Sequence, residues 1–368
     1  MSFIVLKDNF KEAISISEKA LGDNVNLPVL KCLSFNIKKE GIFISSTNLE
    51  LGLTTFCSAK IIKEDTFLIQ AKLLSSLISN IPNERLNIEI KDSNLEVKSD
   101  NYEALIPINS PEDFPIIPEI ENKDKYIEIE GNLFTEALSQ VIQTIQYSEI
   151  RPEISGVLFN FDLDSIVLVG TDSFRLAEKK IQASIFKSNH KESFKCIIPL
   201  KTIQECVKIF KSNDPVGIYT DDNQILIKNS KTELISRLLE GNFPDYKTII
   251  PKEKETEINV DRSELINALK FVGSSNQSVY EVKIKTHSDK NFFEVQSTEK
   301  SSNKFKTVIP AKIKGKDSEV IFNWQYIVDG LKNIQEKNTI FVLNGNTKPA
   351  IISSESASYI YILMPIKQ

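Results

Sequence analysis

Apolar positions recur at helical spacing in six separate segments of the chain. In three of these segments an apolar residue is followed three and four positions later by two more, and the segments begin about 125 residues apart. The matching positions are Phe10, Ala13 and Ile14, then Phe134, Ala137 and Leu138, then Leu265, Ala268 and Leu269. This repetition predicts three copies of one structural unit.

A second helical segment follows in each copy, and the residues between the helices alternate as strands do. We predict helices at residues 7–22, 71–82, 131–148, 199–214, 260–276 and 323–338. A threonine ends an apolar strand and opens a polar turn at the same place in each copy, at Thr47, Thr171 and Thr298. With two helices and about eight strands in each copy, the predicted fold class is α+β, with helices packed on antiparallel sheets.

Two proline-rich links divide the copies. The segments Asp113–Pro118 and Asn242–Pro251 cannot continue a helix or a central strand. We therefore predict three domains at residues 1–122, 123–251 and 252–368. Each domain would leave edge strands to be paired, and continuation of the sheets between neighbouring copies and between subunits achieves this. Closure into a ring would remove every edge.

Composition narrows the class of protein. The chain is 41% apolar and 26% charged, which is ordinary for a globular protein. No apolar run is long enough to span a membrane, and the start of the chain lacks the basic flank of a signal sequence, so we expect a cytoplasmic protein with no membrane partner. The four cysteines show no Cys-x-x-Cys spacing. We interpret them as buried small residues, and we expect no metal and no cofactor.

Lysines lie on the polar sides of most of the predicted helices. A solvated amphipathic helix explains any one of them. If all six helices face one concavity, however, their lysines form a weakly positive lining within a chain of net charge −5, and such a lining attracts a polyanion. Lysine contacts phosphate without reading base sequence. The predicted DNA-facing residues are Lys7, Lys11, Lys72, Lys201, Lys208, Lys211, Lys270 and Lys332.

Five motifs in this order resemble those of a known family. They are Arg151–Phe159, Gly170–Ala177, Phe243–Tyr246, Phe322–Tyr326 and Tyr361–Ile366. Together with the threefold period they make the whole chain similar to the bacterial DNA polymerase III beta subunit, the sliding clamp. The resemblance implies three tandem clamp domains that form half of a six-domain closed ring, a head-to-tail homodimer around duplex DNA. It also implies that a clamp loader places the ring, which then tethers the replicative polymerase for processivity.

The resemblance further implies a peptide-binding cleft between the second and third domains. Its partners would be the DNA polymerase III alpha subunit, the clamp loader and other proteins with a clamp-binding motif, whose peptides typically contain a glutamine and a leucine or phenylalanine anchor. Carried over by motif, the cleft would comprise Arg151, Ile154, Thr171, Ser173, Phe174, Arg175, Leu176, Pro244, Ile249, Asn323, Tyr326, Leu363, Met364, Pro365 and Ile366. Apolar members would form a dry pocket for the anchor, and Met364 adapts to different partners.

Several positions depart from the family pattern. Ser173-Phe174 stands where glycine and histidine are frequent, so the floor of the cleft is bulkier and more apolar. Asp23-Asn24 stands where an arginine often contacts DNA, and Pro152-Glu153 stands where aromatic residues are common. We therefore expect the lysine-bearing helices to make more of the DNA contact.

Two rival classes of function remain for comparison. An enzyme is disfavoured because His190 and His287 lie in polar stretches typical of exposed loops, and no phosphate-binding glycine motif occurs. Acidic pairs such as Asp162 and Asp164 lie in turns, where solvated loop charge is the simpler interpretation. A non-catalytic repeat scaffold that binds peptides without encircling DNA is the alternative hypothesis.

Overall fold

A computed structural model describes residues 2–121, 123–275, 280–298 and 303–367. The predicted domain boundary at residue 122 and the predicted end of the fifth helix at residue 276 lie outside the described residues. The helices are α1 (Lys7–Ser17), α2 (Ala71–Asn80), α3 (Gly131–Ile142), α4 (Leu200–Ile209), α5 (Arg262–Gly273) and α6 (Trp324–Lys332).

Strands fill most of the remaining chain. The first third contains β1 (Ser2–Leu6), β2 (Cys32–Lys38), β3 (Gly41–Thr47), β4 (Leu51–Cys57), β5 (Lys60–Lys63), β6 (Asp65–Gln70), β7 (Arg85–Lys91), β8 (Asn94–Ser99) and β9 (Tyr102–Pro107). The second contains β10 (Ile127–Glu130), β11 (Gly156–Asp162), β12 (Ser165–Thr171), β13 (Arg175–Gln182), β14 (Phe186–Ser188), β15 (Phe194–Pro199), β16 (Pro215–Thr220), β17 (Gln224–Lys228) and β18 (Thr232–Arg237). The last contains β19 (Thr256–Asp261), β20 (Glu281–His287), β21 (Phe292–Ser297), β22 (Lys306–Pro310), β23 (Lys312–Gly315), β24 (Glu319–Asn323), β25 (Asn338–Leu343), β26 (Ala350–Ser353) and β27 (Tyr359–Leu363).

The order of elements is the same in each third of the chain. Within the described residues, each third runs as one strand, a helix, four strands, one strand, a helix and three strands. This confirms the predicted α+β class and the predicted order of helices and strands. Within the described residues each third holds one strand more than the eight expected, and the short strands β5, β14 and β23 explain the difference. Each is three or four residues long and mostly exposed, so it carries little apolar alternation along the sequence.

The strands of the described residues form four sheets. Sheet A has the order β5-β1-β7-β8-β9, and sheet B has the order β14-β10-β16-β17-β18-β4-β3-β2-β6. Sheet C has the order β15-β11-β12-β13-β27-β26-β25-β19-β23, and sheet D has the order β22-β21-β20-β24. Sheet B therefore joins strands of the first and second thirds, and sheet C joins strands of the second and last thirds. The predicted continuation of sheets between neighbouring copies is present at both junctions.

The residues group into two compact units. One contains Met1–Thr135, Phe186–His190 and Gln204–Leu238, and the other contains Glu136–Ile185, Lys191–Ile203 and Leu239–Gln368. Sheets A and B lie in the first unit, and sheets C and D lie in the second. Each unit thus combines one complete third of the chain with half of the middle third, because hydrogen bonding across the junctions is as continuous as within a single sheet.

Apolar side chains that the helical pattern selects are buried. Phe10 of α1 packs between Phe3 and Phe35, with ring centroids 6.1 and 5.9 Å from its own. Its neighbours Ala13 and Ile14 are 3% and 1% exposed. The matching residues of α3 and α5 are also buried. Burial of these faces is what holds each helix, because an isolated helix of this length is marginal in water.

Several helices end earlier than the sequence predicts. Helix α1 ends at Ser17 rather than near residue 22, and α3 ends at Ile142 rather than near residue 148. Beyond α3, the Thr144 hydroxyl donates to the carbonyl of Val141 at 2.7 Å, which satisfies a backbone acceptor without a further helical turn. Ile145 is still buried although it lies beyond the helix. Apolar spacing alone therefore overestimates helix length.

All four cysteines are free thiols, and three of them are buried. Burial, with a smaller contribution from Glu12, raises the pKa of Cys57 to about 11. Burial also raises the pKa of the half-buried Cys196 to about 12. These groups stay protonated near neutral pH, which makes them poor nucleophiles and poor metal ligands. Within the described part of the chain, no helix is long and apolar enough to cross a membrane.

Candidate functional site

The loop between β12 and β13 is shaped by two side chains of its own. The Thr171 hydroxyl donates to the carbonyl of Arg175 at 2.8 Å and accepts from the amide of Ser173 at 3.1 Å. One carboxylate oxygen of Asp172 accepts from the amides of Phe174 and Arg175, each at 2.9 Å. Ser173 is held at a φ of 75°, a left-handed conformation. The loop consequently presents Phe174 to solvent with 64% of its surface exposed.

The equivalent turn in the first third explains the threonine anchor. Thr47 donates to the carbonyl of Leu51 at 2.9 Å and accepts from the amide of Leu49 at 3.0 Å. The side-chain oxygen of Asn48 accepts hydrogen bonds from the amides of Glu50 and Leu51, as Asp172 accepts from the two equivalent amides. Leu49 has a φ of 78°. The repeated Thr-Asn/Asp pair is therefore a turn-forming device in which side chains replace missing ladder hydrogen bonds.

Arg175 connects this loop to helix α6. Its Nε donates to Asp172 Oδ2 at 3.0 Å and its Nη1 to Asp329 Oδ2 at 2.7 Å. The guanidinium lies 4.2 Å from the centroid of the Tyr326 ring, a cation–π contact. Burial lowers the pKa of Arg175, but Tyr361, Asp329 and Asp172 together raise it above its ordinary value. The arginine stays charged, and its partners fix the position of the loop.

The end of the chain lies against the same loop. Strand β27 pairs with β13, so that Leu363 is opposite Arg175 and Ile362 is opposite Leu176. Beyond the strand, the amide of Met364 donates to the carbonyl of Phe174 at 2.9 Å. The amide of Ile366 donates to the carbonyl of Ile321 in β24 at 2.8 Å. Met364 is thereby held beside Phe174 with 37% of its surface exposed.

The second proline-rich link is fixed to one face of sheet C. Tyr246 is 7% exposed, and its hydroxyl donates to Glu178 Oε2 at 2.6 Å. Burial, reinforced by this hydrogen bond, raises the pKa of Tyr246. Pro244 precedes this anchor, and Ile249 follows it with 47% of its surface exposed. The ring packs in an apolar cluster whose buried members are Leu158, Val169, Leu176, Ile197, Tyr246 and Ile362.

The remaining predicted cleft residues are placed near these segments or within the core. Arg151 donates from Nη1 to Ser173 Oγ at 3.0 Å. Asn323 caps α6, with its side chain accepting from the amide of Gln325 at 3.0 Å. Three residues expected to line a dry pocket are buried in the chain alone: Ile154 is 5% exposed, and Leu176 and Leu363 are each 1% exposed. Among the predicted cleft residues, Phe174, Ile249 and Met364 are the large apolar side chains that remain exposed.

Four residues that organise this region were not selected from the sequence. Asp172 and Tyr246 lie inside two of the quoted motifs, so the motifs carried a signal for them. No sequence signal pointed to Glu178 or Asp329, because each is a single acid on an ordinary strand or helix. Their roles appear only when the fold brings Glu178 to Tyr246 and Asp329 to Arg175.

We predict that Arg175→Lys lowers the free energy of unfolding by about 1–3 kcal/mol, because a lysine keeps the charge but cannot bond both carboxylates in the guanidinium geometry. The measurement is the urea midpoint followed by circular dichroism. Arg151→Lys is the matched control, since Arg151 forms an exposed pair with Glu153 and should change stability by no more than about 0.5 kcal/mol. Equal midpoints for both variants would contradict this role of Arg175.

The predicted DNA-facing lysines lie on helices or immediately next to them. Seven of the eight are exposed. Lys7 is half-buried and donates to the carbonyl of Ile81 at 3.2 Å, where it also satisfies the end of α2. Lys208 pairs with Glu205 at 2.9 Å, and Lys332 lies 3.8 Å from Asp329. Within each unit the helices pack in pairs, with α1 against α2 and α5 against α6.

Among the described residues, no three His, Cys, Asp or Glu side chains are grouped so that they could hold a metal ion. The carboxylates of the site are instead bonded to Arg175, to backbone amides or to Tyr246. The arrangement supports docking chemistry, since exposed apolar side chains lie beside a rigid hydrogen-bonded loop.

Comparisons with known proteins agree over the whole chain. Residues 1–118, 128–245 and 247–367 match the models of the N-terminal, central and C-terminal domains of the DNA polymerase III beta subunit. The beta sliding clamp of Bacillus subtilis (strain 168) is 23% identical over 388 residues, and that of Synechococcus elongatus is 24% identical over 378 residues. These alignments cover 100% of this chain and 100% and 99% of the relatives.

Solved structures share the fold. The crystal structure of the DNA polymerase sliding clamp from Bacillus subtilis matches with a TM-score of 0.93 at 23% identity, and that of the DNA polymerase III beta subunit from Thermotoga maritima matches with a TM-score of 0.91 at 24% identity. Both matches cover 100% of this chain and 99% of the other. The chain therefore belongs to the DNA polymerase III beta subunit family, the sliding clamps of DNA replication.

Proposed function

We propose that this protein is a processivity factor that encircles duplex DNA as a homodimeric ring and tethers the replicative polymerase through the surface around Phe174. It acts without catalysis and without a cofactor. A clamp loader places the ring on DNA, and the alpha subunit of DNA polymerase III and other proteins with a clamp-binding motif dock on it. The chain is organised in domains 1–122, 123–251 and 252–368, a division that the three matched ranges support.

The pairing of strands between repeats is the main support for the proposed ring. The last strand of one repeat pairs with the fourth strand of another at both internal junctions, as β18 does with β4 and β27 does with β13. The strands of the same two kinds that remain are β9 and β22, and within the described residues each is the outermost strand of its sheet. Among the described residues β9 and β22 do not pair with each other, so a third junction of this kind would form between two copies of the chain. Two copies joined head to tail form two such junctions and leave neither strand open.

Exposed apolar side chains lie at both of these edges. Leu105 and Tyr102 of β9 are 60% and 48% exposed, and Val308 of β22 is 50% exposed. Phe271 of α5 is 51% exposed and stacks on Phe305 at a centroid distance of 5.2 Å. Large apolar residues gathered at a sheet edge are typical of a surface that a partner covers.

The repeat also identifies what Phe271 would contact. Phe271 follows Leu265 by the same interval as Gln140 follows Phe134, and Gln140 donates to the carbonyl of Asn333, just after α6, at 2.7 Å. At a junction between two copies, the equivalent neighbour of Phe271 is the segment just after α2 of the partner. Apolar contact would replace the amide hydrogen bond of the internal junction.

The surface around Phe174 suits a short peptide better than a small molecule. Phe174, Ile249 and Met364 offer an exposed apolar face, while the backbone near the chain end offers hydrogen-bonding groups. An apolar anchor residue gains affinity from such a face, and a glutamine amide can bond the neighbouring carbonyls. Affinity of about −8 kcal/mol, which corresponds to micromolar dissociation, would let partners exchange.

Duplex DNA is held by topology, so the lysines need only transient phosphate contacts. We predict that replacing Lys201, Lys208 and Lys211 by glutamine slows loading about three- to tenfold, because electrostatic attraction steers association with DNA. The loss rate from intact circles should barely change. The measurement is the loading rate and the residence time of the labelled protein on nicked circular DNA. Faster loss of the variant from intact circles would contradict topological retention.

A peptide-binding scaffold that does not encircle DNA is the second candidate function, and it would use the same Phe174 surface. Sedimentation separates the two hypotheses. A ring requires a dimer of about twice the chain mass of 41.7 kDa, and its edge strands would be protected from hydrogen exchange. A monomer at micromolar concentration, with β9 and β22 exchanging freely, would favour the scaffold.

A further inference from the structure

Charged side chains form a ladder across the face of sheet A that lies away from the apolar core. Lys91 Nζ lies 2.8 Å from Glu96, Lys98 Nζ lies 2.9 Å from Glu96, and Lys98 Nζ lies 3.2 Å from Glu103 on the edge strand β9. The signs alternate across the strands, and the ladder ends at the edge with an acid. Glu103 keeps 58% of its side chain exposed.

Sheet D carries a second ladder that ends with a base. Lys306 of the edge strand β22 lies 2.9 Å from Glu294 of β21, and His287 of β20 lies 3.5 Å from the same carboxylate. Towards the other edge of the sheet and on the same face, Lys283 of β20 pairs with Glu319 of β24 at 2.8 Å. Lys306 keeps 52% of its side chain exposed. The edge strands β9 and β22 therefore carry opposite charges at the ends of the two ladders.

The internal junctions fix which residues would meet. Thr54 of β4 lies opposite Ser45, two residues before the anchor Thr47, and it pairs across the junction with Glu233. In β22 the residue opposite Gln296, two residues before the anchor Thr298, is Lys306. Lys306 is thus the counterpart of Thr54.

The counterpart of Glu233 is found in the same way. Glu233 lies opposite Lys228 in its hairpin, with a side-chain distance of 3.6 Å. Glu103 lies opposite Lys98 in a hairpin of the same length. Glu103 is therefore the counterpart of Glu233, and the register that joins Glu233 to Thr54 brings Glu103 opposite Lys306.

We propose that Glu103 of one copy pairs with Lys306 of the other, joining the two ladders across each seam of the ring and fixing its register. This inference rests on the proposed head-to-tail dimer. The equivalent positions at the internal junctions are Glu233 with Thr54 and Glu178 with Ile360, neither of which is an ion pair. An internal junction is already aligned by the chain, whereas a seam between separate copies has to be aligned by its own side chains.

Charge reversal tests the pairing. Glu103→Lys places like charges in both seams, as does Lys306→Glu, because a head-to-tail dimer contains each contact twice. Like charges directly opposite one another destabilise strand pairing, so each single variant should dissociate about ten- to a hundredfold more readily than the original protein. The double variant Glu103→Lys/Lys306→Glu should recover the original dissociation constant within about threefold, since both seams again hold opposite charges.

Mixing the two single variants gives a sharper test. In a mixed dimer the two substituted side chains face each other in one seam, and the original Glu103 and Lys306 face each other in the other seam. Both seams therefore hold opposite charges. Native mass spectrometry of mass-tagged chains should show mixed dimers in large excess over the statistical half. A symmetric contact of β9 with β9 is distinguished by the single variants, because Lys306→Glu alone would then leave the dissociation constant unchanged.

Matched control variants separate the effect of the Glu103–Lys306 register from a general effect of charge on dimer dissociation. Glu89→Lys changes an exposed acid of β7 in the interior of sheet A, and Lys285→Glu changes an exposed base of β20 in the interior of sheet D. Both should leave the dissociation constant within about threefold of the original. Raising the salt concentration should shrink the effect of the Glu103 and Lys306 reversals, because exposed pairs are screened.

The outcomes distinguish this inference from the proposed ring. If the original protein is a monomer, the ring itself fails. If the original protein is a dimer but the single reversals leave it unchanged, weaken it no more than the controls do, or give no mixed-dimer excess, the ring stands and the Glu103–Lys306 register is wrong.

Discussion

Phe271→Asp is expected to convert the dimer into monomers at micromolar concentration. Phe271 is half exposed on α5, packs on Phe305 beside the edge strand β22, and corresponds to a residue that makes a junction contact inside the chain. Burying a new carboxylate without a partner and losing the aromatic contact should cost about 2 kcal/mol at each seam. The two seams of the ring together give about a thousandfold weaker dimer. Analytical ultracentrifugation over a concentration series measures the change.

A matched substitution controls for the added charge. Ile62→Asp changes an apolar residue that is 62% exposed on β5, the opposite edge of sheet A. It should leave the dimer intact, and Phe271→Leu should be close to the original protein. If Phe271→Asp sediments as a dimer with unchanged affinity, α5 does not take part in the seam and the head-to-tail arrangement has to be abandoned.

Phe174→Asp is expected to weaken binding of a short peptide carrying a glutamine and a leucine or phenylalanine anchor by at least about tenfold. Phe174 is exposed, and its backbone is held by Asp172 and by Met364, so a change of side chain should leave the loop in place. Leu176→Asp would be a poorer choice, because Leu176 is 1% exposed and a charge there would disrupt the apolar cluster beneath the link. Fluorescence anisotropy with a labelled peptide measures the loss.

The control for this experiment lies on the same sheet. Leu163 is 52% exposed in the turn between β11 and β12, away from the Phe174 loop in sequence. Leu163→Asp should bind the peptide as the original protein does, and both variants should remain dimeric. Unchanged peptide affinity in Phe174→Asp would place the docking surface elsewhere and remove the support for a polymerase tether at this loop.

The threefold repeat could be predicted from the sequence because each copy repeats the same apolar spacing. Phe10, Phe134 and Leu265 are all buried in helices that begin where the pattern begins. The anchor threonine also helped, because a hydroxyl that hydrogen-bonds the backbone of its own turn has to stand at a fixed position in that turn. Helix ends were not predictable, because Ile145 is buried by tertiary packing after Thr144 has already ended the helix.

The chain segments that form the site could be predicted from the sequence, but which of their side chains are exposed could not. The motifs located the loop at Thr171, the link at Pro244 and the chain end at Met364. They did not distinguish Leu176, which packs inward on Tyr246, from Phe174, which points to solvent two positions earlier along a turn with left-handed backbone. The partners Arg175 and Asp329 are separated by 154 residues, and no local pattern relates two such positions.

The most direct test of the ring is its retention on DNA of different topology. Labelled protein is loaded on nicked circular DNA, the salt concentration is raised to about 0.5 M to screen phosphate contacts, and half of the circles are then cut once with a restriction enzyme. A closed ring predicts that the protein stays on the intact circles and is lost from the cut ones. Equal loss from both, or equal retention on both, would contradict encirclement.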